Sequence, residues 1–449
     1  MQSFDLDRTD VSKLKQAIGG DNELLKATLA EYHASEIAIL FENLNSEDKE
    51  RIINLLDVEI ASEVIAEMHE ESHPAELLLQ LHPDKRTEIV EELDYDDATD
   101  IISQLDEHEQ QEILEDLNED DASSIRNLMS YDEETAGGLM NTDVIRINLN
   151  AYKKDAIDEI IRQSEEIEEF YTVYVVDDEN VFKGIVSLKD IIKAKGNSKI
   201  TEMVNMDVVY VKVDTDQEEV AKLISQYNLT SIPVVDDEMR LLGLVTFDDV
   251  IDVLEDENTE DFLKISGVSE DEELSGNWIE AVKSRLPWLI INLATAFLAS
   301  AVVRHYEFVT GELTVLSAYM VIIAGMGGNA ATQALAVTVR RISLYDLTDN
   351  QAYRTVLKEF TVGLINGAVT GLIVFIIAYF FDANPMLGLV IFLAMTGNLV
   401  IAGITGSGIP LVLKRVGIDP AIASSIIITT FTDVFGFLLL LGLASKLLL

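Results

Sequence analysis

Apolar positions follow three different patterns along the 449 residues of the chain. From residue 1 to about 130 they recur at helical spacing, as in residues 52–56 and 77–81, and no glycine occurs between Gly20 and Gly137. This periodicity predicts a run of amphipathic helices. Short β-branched runs then alternate with helical stretches up to about residue 250. From Leu286 onward the apolar segments are long enough to cross a bilayer.

A weak internal repeat lies within the helical part. Residues 92–98 (Glu-Leu-Asp-Tyr-Asp-Asp-Ala) return as residues 116–122 (Asp-Leu-Asn-Glu-Asp-Asp-Ala), a period of 24 residues. In each copy acidic residues precede an alanine-led helix, where a carboxylate caps backbone N–H groups and interacts favourably with the helix dipole. Repeated short helices predict a small solenoid in which each unit buries its apolar face on the next. Many of these acids are therefore expected to be caps and solvated side chains.

The middle part contains one βαββα unit twice, at an offset of 59 residues. The offset separates three pairs of positions: Val175 and Val234, Gly184 and Gly243, and Asp190 and Asp249. In both copies a strand and an acidic turn precede a glycine, two apolar residues, a hydroxyl residue and, three positions later, an Asp. This arrangement resembles a tandem CBS pair, which implies binding of adenine nucleotides or cations between the repeats. Asp190 and Asp249 are candidates to bond a ribose hydroxyl, and helix capping is an equally good interpretation of each.

Five apolar segments predict five membrane-spanning helices. They lie near residues 286–303, 314–338, 358–381, 385–413 and 421–445. The loops after the second and fourth segments contain the basic residues Arg340, Arg341, Arg354, Lys414 and Arg415, whereas residues 381–385 contain none. Loops rich in Lys and Arg stay in the cytosol, and the N-terminus lacks the apolar core of a signal peptide. We therefore expect a multi-pass protein of the inner or plasma membrane, with cytosolic N-terminal domains and an external C-terminus.

The formal charge of −48 at pH 7 is confined to the first 285 residues. Residues 286–449 contain 8 Lys+Arg and 8 Asp+Glu, which cancel, and the other 24 Lys+Arg and 72 Asp+Glu lie upstream. Such a part repels nucleic acid and anionic lipid and attracts cations. Clustered carboxylates suit hard ions such as Mg²⁺ and Ca²⁺, although an acidic surface also serves solubility alone. The chain contains no Cys, which excludes disulfides and thiolate metal sites.

One carboxylate, Asp433, lies near the middle of the last apolar segment. An ionised group at that depth costs at least ~2.5 kcal/mol and ordinarily faces a partner or a polar cavity. In the second segment Asn329 and Gln333 are four residues apart on one helical face. Glu359 and Asp419 lie at the cytosolic edge, where Asp419 can cap the last helix. Such a path suits a divalent cation that keeps several waters, and a C₂ homodimer would place two Asp433 carboxylates near its axis.

The order of these parts resembles the MgtE family of magnesium channels over nearly the whole chain. The resemblance rests on Thr135-Ala136-Gly137-Gly138-Leu139-Met140, Gly327-Gly328-Asn329 with Gln333, Lys358-Glu359, Asp419-Pro420-Ala421, and Asp433-Val434 with Gly436. The chain departs from the family pattern at Ser425-Ile426 and Phe435, on either side of Asp433.

The predicted fold is a multidomain α + α/β cytosolic part, with a helical solenoid and a tandem CBS pair, joined by an acidic connecting helix to a five-helix transmembrane domain. The predicted domains are an acidic helical N domain (1–136), two CBS repeats (137–200 and 201–254), a connecting or plug helix with its linker (255–285) and the transmembrane domain (286–449).

The resemblance implies a homodimeric Mg²⁺ channel that closes when cytosolic Mg²⁺ is high, with an ion path at Asp433 and backbone carbonyls near Thr429. It places regulatory Mg²⁺ ligands at Asp96, Gly137, Asp216, Glu218, Asp249, Asp252, Glu257, Glu260 and Asp261. It also implies ATP binding at the CBS pair through Tyr171 and Asp190. The regulation has a physical basis of its own, because apposed carboxylates repel and a divalent ion offsets that repulsion only in a compact state.

Three alternatives stay open. The first is a channel for another divalent cation, such as Mn²⁺, Co²⁺ or Ca²⁺. The second is a membrane-anchored nucleotide sensor, against which Asp433, Asn329 and Gln333 argue. The third is an intramembrane hydrolase, but aspartyl chemistry needs a second acid nearby, and no other predicted span has one near its middle. We therefore expect that the protein is not an enzyme.

Overall fold

The computed structural model describes residues 8–69, 72–164, 167, 170, 172–269, 278–345, 347–422 and 425–449. The chain divides into two compact units, Met1–Glu255 and Asp256–Leu449. Each unit has its own hydrophobic core. The predicted fold class is confirmed, since a helical solenoid and two small α/β repeats are followed by long apolar helices.

The described part of the first unit begins with a series of short helices. They are α1 (Arg8–Ile18), α2 (Asn22–Leu29), α3 (Ala34–Phe41), α4 (Ser46–Leu55), α5 (Val58–Ala66), α6 (Pro74–Gln80), α7 (Pro83–Glu92), α8 (Tyr95–Ser103), α9 (Glu107–Asp116) and α10 (Glu119–Leu128). From α2 onward, helices two positions apart in the chain pack together, so their apolar faces form one continuous core. This is the stacking expected of a solenoid.

The 24-residue repeat corresponds to α8 and α10, whose first residues are Tyr95 and Glu119. Asn118 caps α10, because its side-chain oxygen accepts a hydrogen bond of 3.0 Å from the backbone N–H of Asp121. Asp94 holds the equivalent position before α8 but makes no side-chain cap. Capping therefore explains one copy of the repeat and leaves the acids of the other copy to be explained in a different way.

Two small sheets follow the solenoid. The first contains β1 (Arg146–Asn148), β2 (Thr172–Val176) and β3 (Phe182–Ser187), with helices α11 (Lys153–Gln163) and α12 (Leu188–Lys193). The second contains β4 (Val211–Lys212), β5 (Ser231–Val235) and β6 (Leu241–Thr246), with helices α13 (Gln217–Tyr227) and α14 (Phe247–Ser266). In each sheet the first two strands are parallel and the last two antiparallel. The 59-residue repeat is thus confirmed as a repeat of topology.

Side chains from both repeats share one small core. Tyr174 and Phe182 of the first repeat pack there with Val235 and Leu241 of the second. The hydroxyl of Tyr174 also lies 2.8 Å from that of Ser231, within hydrogen-bond distance. The two repeats are therefore joined by burial and by a polar contact.

The structure gives the ends of three elements. The first strand of the second repeat covers Val211–Lys212 at the edge of its sheet, and among the described strands its one neighbour is β5. Helix α14 runs without a break from the second repeat to Ser266, so it includes the start of the predicted connecting helix. The last span, predicted from residue 421, begins at Ser425.

A short turn precedes the last span. Residues Pro420–Ile422 form a separate 3-10 turn. The carboxylate of Asp419 accepts a hydrogen bond of 2.8 Å from the backbone N–H of Ala421. Asp419 therefore caps this turn and not the spanning helix, which is the kind of local bond by which Asp competes with a longer helix.

The described part of the second unit contains five helices long and apolar enough to span a membrane. They are α15 (Trp278–His305), α17 (Leu316–Leu344), α18 (Asp349–Asp382), α19 (Pro385–Arg415) and α20 (Ser425–Leu447), and a short helix α16 (Glu307–Glu312) lies between the first two. The apolar part of α19 is 56% buried, whereas that of α15 is 6% buried. Helix α19 is therefore central, and it packs on α17, α18 and α20.

Glycines allow α18 and α19 to approach closely. A Cβ added at Gly403 of α19 would overlap the backbone carbonyl oxygen of Glu359 in α18, and one at Gly363 of α18 would overlap that of Leu399 in α19. Small residues at such contacts are typical of packed membrane helices. Gly408, further along α19, has nothing within 4 Å of an added Cβ.

We expect Gly403→Ala to destabilise the transmembrane unit, because the added methyl group can be accommodated only if two backbones separate. Overpacking of this kind costs about 1–3 kcal/mol. Thermal unfolding of the purified protein in detergent should show a lower midpoint for Gly403→Ala. The matched variant Gly408→Ala, on the same helix, should unfold like the wild type, and equal midpoints for both variants would contradict the packing described here.

Candidate metal centres

The first candidate centre is Asp433, in the middle of α20. Its side chain is half-buried, and no hydrogen bond joins it to the described residues. Thr429 lies four residues earlier, on the same face of the helix. This face meets α17, since a Cβ added at Gly328 would lie 3.2 Å from Cγ2 of Thr429. A carboxylate and a hydroxyl residue are thus presented beside the glycine-rich stretch of α17.

The backbone carbonyl of Thr429, expected to face the ion path, already has a partner. It accepts a hydrogen bond of 2.9 Å from the hydroxyl of Thr432. The Thr432 side chain itself is fully buried. An ion at this level is therefore more readily reached through retained water than by direct contact with the carbonyl, which suits the reluctance of Mg²⁺ to lose its waters.

A second polar region lies between α17, α18 and α19. Gln333, Glu359 and Asn366 line one cavity of about 250 Å³. Glu359 is buried, with 9% of its side chain exposed, and Oε1 lies 3.3 Å from Nζ of Lys358. Asn329 has an exposed side chain one turn before Gln333. The structure thus groups Gln333 with Glu359, and it places Thr429 with Asp433.

The third centre is a group of acids in the first unit. Carboxylate oxygens of Asp94, Asp96 and Asp97, at the start of α8, lie within 4.8 Å of one another. One oxygen of Asp96 is sealed from solvent and has no hydrogen-bond partner among the described residues. Because one carboxylate of this group is partly desolvated and its neighbours are also acids, the group could hold a metal ion.

Burial and neighbouring charges raise the pKa of these acids. Burial raises the pKa of Asp96 well above its ordinary value, and the charges of Asp97 and Asp249 add to the effect. Burial, followed by the charges of Asp94 and Asp249, raises the pKa of Asp97 to about 7. Burial also raises the pKa of Asp249. Asp249 belongs to α14, so the solenoid and the second repeat both contribute charge to this cluster.

Gly137, Asp216 and Glu218 meet at the junction between the solenoid and the second repeat. The backbone N–H of Gly137 donates to the carbonyl of Val213 at 2.9 Å. Asp216 caps α13 and accepts a hydrogen bond of 2.9 Å from the N–H of Glu218. An isolated bridge pairs Thr135 with Asp216. The predicted regulatory residues of this region are therefore neighbours, although one carboxylate already has a structural role.

Helix α14 contributes the remaining predicted acids. Asp252 is exposed, and its charge is among the influences that raise the pKa of Asp249. Glu257, Glu260 and Asp261 follow in the second unit and are half-buried. Within that unit, the hydroxyl of Ser343 in α17 donates to Asp261 at 3.2 Å. Burial, and then the charge of Asp419, raises the pKa of Asp261.

A lysine lies among these acids. Nζ of Lys264 pairs with the carboxylate of Glu260 and lies 3.0 Å from Oδ2 of Asp419. Its side chain is 15% exposed, so an ammonium group already bridges two of the predicted ligands. A divalent cation bound here would have to displace or share that position.

The predicted nucleotide ligands are only partly within the described chain. Tyr171 lies outside the described residues. Asp190 accepts a hydrogen bond of 2.7 Å from the hydroxyl of Ser187, which in turn caps α12. Asp249 accepts a bond of 3.2 Å from the backbone N–H of Thr246 in the second repeat. Both acids thus stabilise the start of a helix, and this role does not prevent contact with a ribose.

Several residues at or near these centres were not among the predicted site residues. Asp97 is adjacent to the predicted Asp96, and only the fold shows that both face Asp249. Lys264 is separated from Asp419 by 155 residues, so spacing gives no signal for the pair. Asn398 is fully buried in α19. A single amide in an apolar span is a signal that could have identified it.

Family models match three parts of the chain. A divalent cation transporter model, MgtE, matches residues 320–443. A model of the MgtE intracellular N domain matches residues 32–134. The CBS domain model matches residues 136–197 and 200–256. These ranges follow the same order of parts as the structure.

Curated relatives cover most of the chain. The magnesium transporter MgtE of Enterococcus faecalis is 39% identical over 72% of this chain and 71% of its own length. That of Thermus thermophilus is 33% identical over 96% of both chains. That of Bacillus subtilis is 29% identical over 94% of this chain and 93% of its own length.

Two solved structures resemble the N-terminal half. One is a crystal structure of the cytosolic domain of the Mg²⁺ channel MgtE in complex with ATP. It is 35% identical, has a TM-score of 0.52, and the match covers 54% of this chain and 99% of that chain. The other is the soluble part of a magnesium transporter, 29% identical, with a TM-score of 0.50 over 56% of this chain and 98% of that chain.

Proposed function

Because the chain belongs to the MgtE family of divalent cation transporters, we propose that it conducts Mg²⁺ across the inner or plasma membrane. It is a membrane transporter and not an enzyme. Mg²⁺ is proposed as the cargo because the relatives that match most of the chain are named magnesium transporters. The observation that carries the proposal is the half-buried carboxylate of Asp433 in an otherwise apolar span.

At Asp433 the carboxylate would attract the hydrated ion, and water would mediate contact with the backbone near Thr429. This division of roles follows from the hydrogen bond that the Thr429 carbonyl already accepts from Thr432. Asn329 and Gln333 supply neutral oxygens along α17, and Glu359 and Asp419 supply charge towards the cytosolic side. An ion that keeps several waters needs few direct ligands, so sparse carboxylates suffice for Mg²⁺.

A single Asp433 gives a divalent ion only half of the charge it needs for neutrality. A C₂ dimer would supply the second carboxylate at the same level of the membrane. The loop charges described above support a cytosolic N-terminal unit and an external C-terminus. In this arrangement the acidic cluster of the first unit faces the compartment whose Mg²⁺ concentration it would sense.

Regulation is proposed to begin at the cluster of Asp96, Asp97 and Asp249. Their raised pKa values reflect the cost of holding carboxylates together with partial burial. Mg²⁺ bound there offsets this cost only when α8 and α14 are close, so it favours the compact state by differential affinity. Gly137, Asp216, Glu218 and Asp252 extend the acidic surface around the cluster.

The C-terminal half of α14 would transmit this regulation to the second unit. Glu260 pairs with Lys264, which also donates a hydrogen bond to Asp419 just before α20. Asp261 accepts a hydrogen bond from Ser343 near the cytosolic end of α17. Glu257 lies one turn earlier in α14. Mg²⁺ would compete with Lys264 for Glu260 and Asp419. ATP is proposed as a modulator at the CBS pair, with Tyr171 and Asp190 as ligands, because the similar cytosolic domain was crystallised with ATP.

The proposed function is tested by reconstituting the purified chain in liposomes that contain a Mg²⁺-sensitive dye. A Mg²⁺ gradient should produce dye signal that empty liposomes do not show, and external Mn²⁺, Co²⁺ and Ca²⁺ are compared at equal concentration. Cross-linking in the same liposomes reports whether the conducting species is a dimer. If no cation produces flux, the transport proposal is contradicted and the alternative of a membrane-anchored nucleotide sensor is favoured. If another cation is transported faster than Mg²⁺, that cation is the better candidate for the cargo.

A further inference from the structure

Asn398 occupies the junction of three spanning helices. It lies in the middle of α19, and its side chain is fully buried. A Cβ added at Gly327 of α17 would overlap its amide nitrogen, and one added at Gly436 of α20 would lie 2.8 Å from the same nitrogen. The side chain of Asn398 therefore occupies space that is open because Gly327 and Gly436 have no side chain.

The two ends of the amide have different environments. Nδ2 donates a hydrogen bond of 3.0 Å to the backbone carbonyl of Ile323 in α17. Oδ1 is sealed from solvent and has no hydrogen-bond partner among the described residues. Because the Ile323 oxygen can only accept, this contact fixes which end of the amide is the nitrogen.

An apolar side chain of similar size would avoid the cost of burying an unsatisfied amide oxygen. The amide supplies instead a directional link that fixes α17 against α19, and its volume fixes the distance to α20. Both contacts are beside the proposed ion path, since Gly436 lies one turn after Asp433 and Gly327 precedes Gly328, which packs on Thr429. The spacing of α17 and α20 at this level thus depends on Asn398.

We propose that Asn398 is a positioning residue that sets the α17–α20 spacing at Asp433 and thereby the selectivity for Mg²⁺ over larger divalent cations. The inference rests on the proposed function. Mg²⁺ requires short, near-octahedral coordination and keeps its waters, whereas Ca²⁺ accepts longer and more variable contacts. A path held at one width can therefore favour the smaller ion, and a loosened path admits the larger one.

The test compares Asn398→Leu with Ser407→Ala in liposomes that contain the full-length protein. Ser407 is a matched control, because it is equally buried in α19 but donates within its own helix, to the carbonyl of Gly403. Maximal flux, half-saturating concentration and the ratio of Mg²⁺ to Ca²⁺ flux are measured for each. We expect the ratio to fall about three- to tenfold in Asn398→Leu, as for loss of one interhelical hydrogen bond in a membrane, and to stay unchanged in Ser407→Ala.

A second variant keeps the test decisive if Asn398→Leu does not fold. In Asn398→Ala/Gly436→Ala the new methyl group enters the space that the amide vacates, so the packing volume is partly restored while the bond to Ile323 is lost. A wild-type flux ratio in whichever of the two variants folds would overturn the inference. Flux retained by Asp433→Asn would instead overturn the ion path itself, so the two failures are distinguishable.

Discussion

Replacement of Asp433 by asparagine is expected to reduce Mg²⁺ flux by about a hundredfold or more. The variant would leave the ion without the carboxylate that compensates its charge, and removing one partner of a partly buried charge pair costs on the order of 3 kcal/mol. Asparagine preserves the shape of the side chain, so the loss would report charge and not packing. The path would keep its neutral oxygens but lose the group that compensates the charge of the ion in a low-dielectric region. The effect is measured in two ways: by growth of a Mg²⁺-requiring host at low Mg²⁺, and by the initial rate of Mg²⁺ flux in the liposome assay.

The matched control is Thr430→Val, on the same helix and three residues earlier. Thr430 donates to the carbonyl of Ile426 within α20, so valine removes a hydroxyl of similar size without touching the proposed ion ligand. Its flux should remain close to that of the wild type. Asp433→Glu should retain part of the flux, because the charge is kept while its position changes by one methylene. Full rescue of growth by both Asp433→Asn and Asp433→Ala would remove Asp433 from the mechanism.

The sequence was sufficient for the fold class because each part has its own periodicity. In the solenoid, apolar residues recur at helical spacing. The βαββα unit returns after 59 residues, and the spans are long apolar runs interrupted by few polar residues. Periodicity identifies the type of an element better than its ends. The last span illustrates this, because Asp419 bonds the backbone of the short turn Pro420–Ile422 and α20 begins at Ser425.

The centres could be predicted only where their residues are close in sequence. Asp94, Asp96 and Asp97 lie in one helical turn, and Asp433 is conspicuous by itself in an apolar span. The partners of Asn398 and Lys264 are separated from them by 75 and 155 residues. Such pairs depend on helix packing that no spacing rule encodes, and the positions of the glycines become informative only when the facing helix is known.

Neutralising Asp97 and Asp249 together, as Asp97→Asn/Asp249→Asn, is expected to remove the response of the first unit to Mg²⁺. In the wild type, Mg²⁺ at ten times its dissociation constant should stabilise the compact state by roughly 1.4 kcal/mol. The asparagine pair neither repels nor binds the ion strongly, so its compact state should persist without Mg²⁺. Limited proteolysis of the full-length protein across millimolar Mg²⁺ measures the response, and flux with cytosolic-side Mg²⁺ measures its effect on gating.

Without metal, the same acids give a pH dependence of known sign. The folded-state pKa of Asp97, about 7, lies above the ordinary value of 3.8, so the folded state binds more protons between these values and loses stability as pH rises through the interval. In EDTA the wild type should therefore become more susceptible to protease as pH rises from 5 to 8, and Mg²⁺ at pH 8 should reverse the change.

The control for this double variant is Glu119→Gln/Asp120→Asn, which removes the same charge from exposed positions in the first turn of α10. It should keep both the Mg²⁺ response and the pH dependence, because those acids are solvated and not apposed to Asp249. If both double variants respond to Mg²⁺ like the wild type, the cluster is only a solubilising surface. If both lose the response equally, total charge and not a defined site senses the ion. Loss confined to Asp97→Asn/Asp249→Asn is the result that places the sensor between α8 and α14.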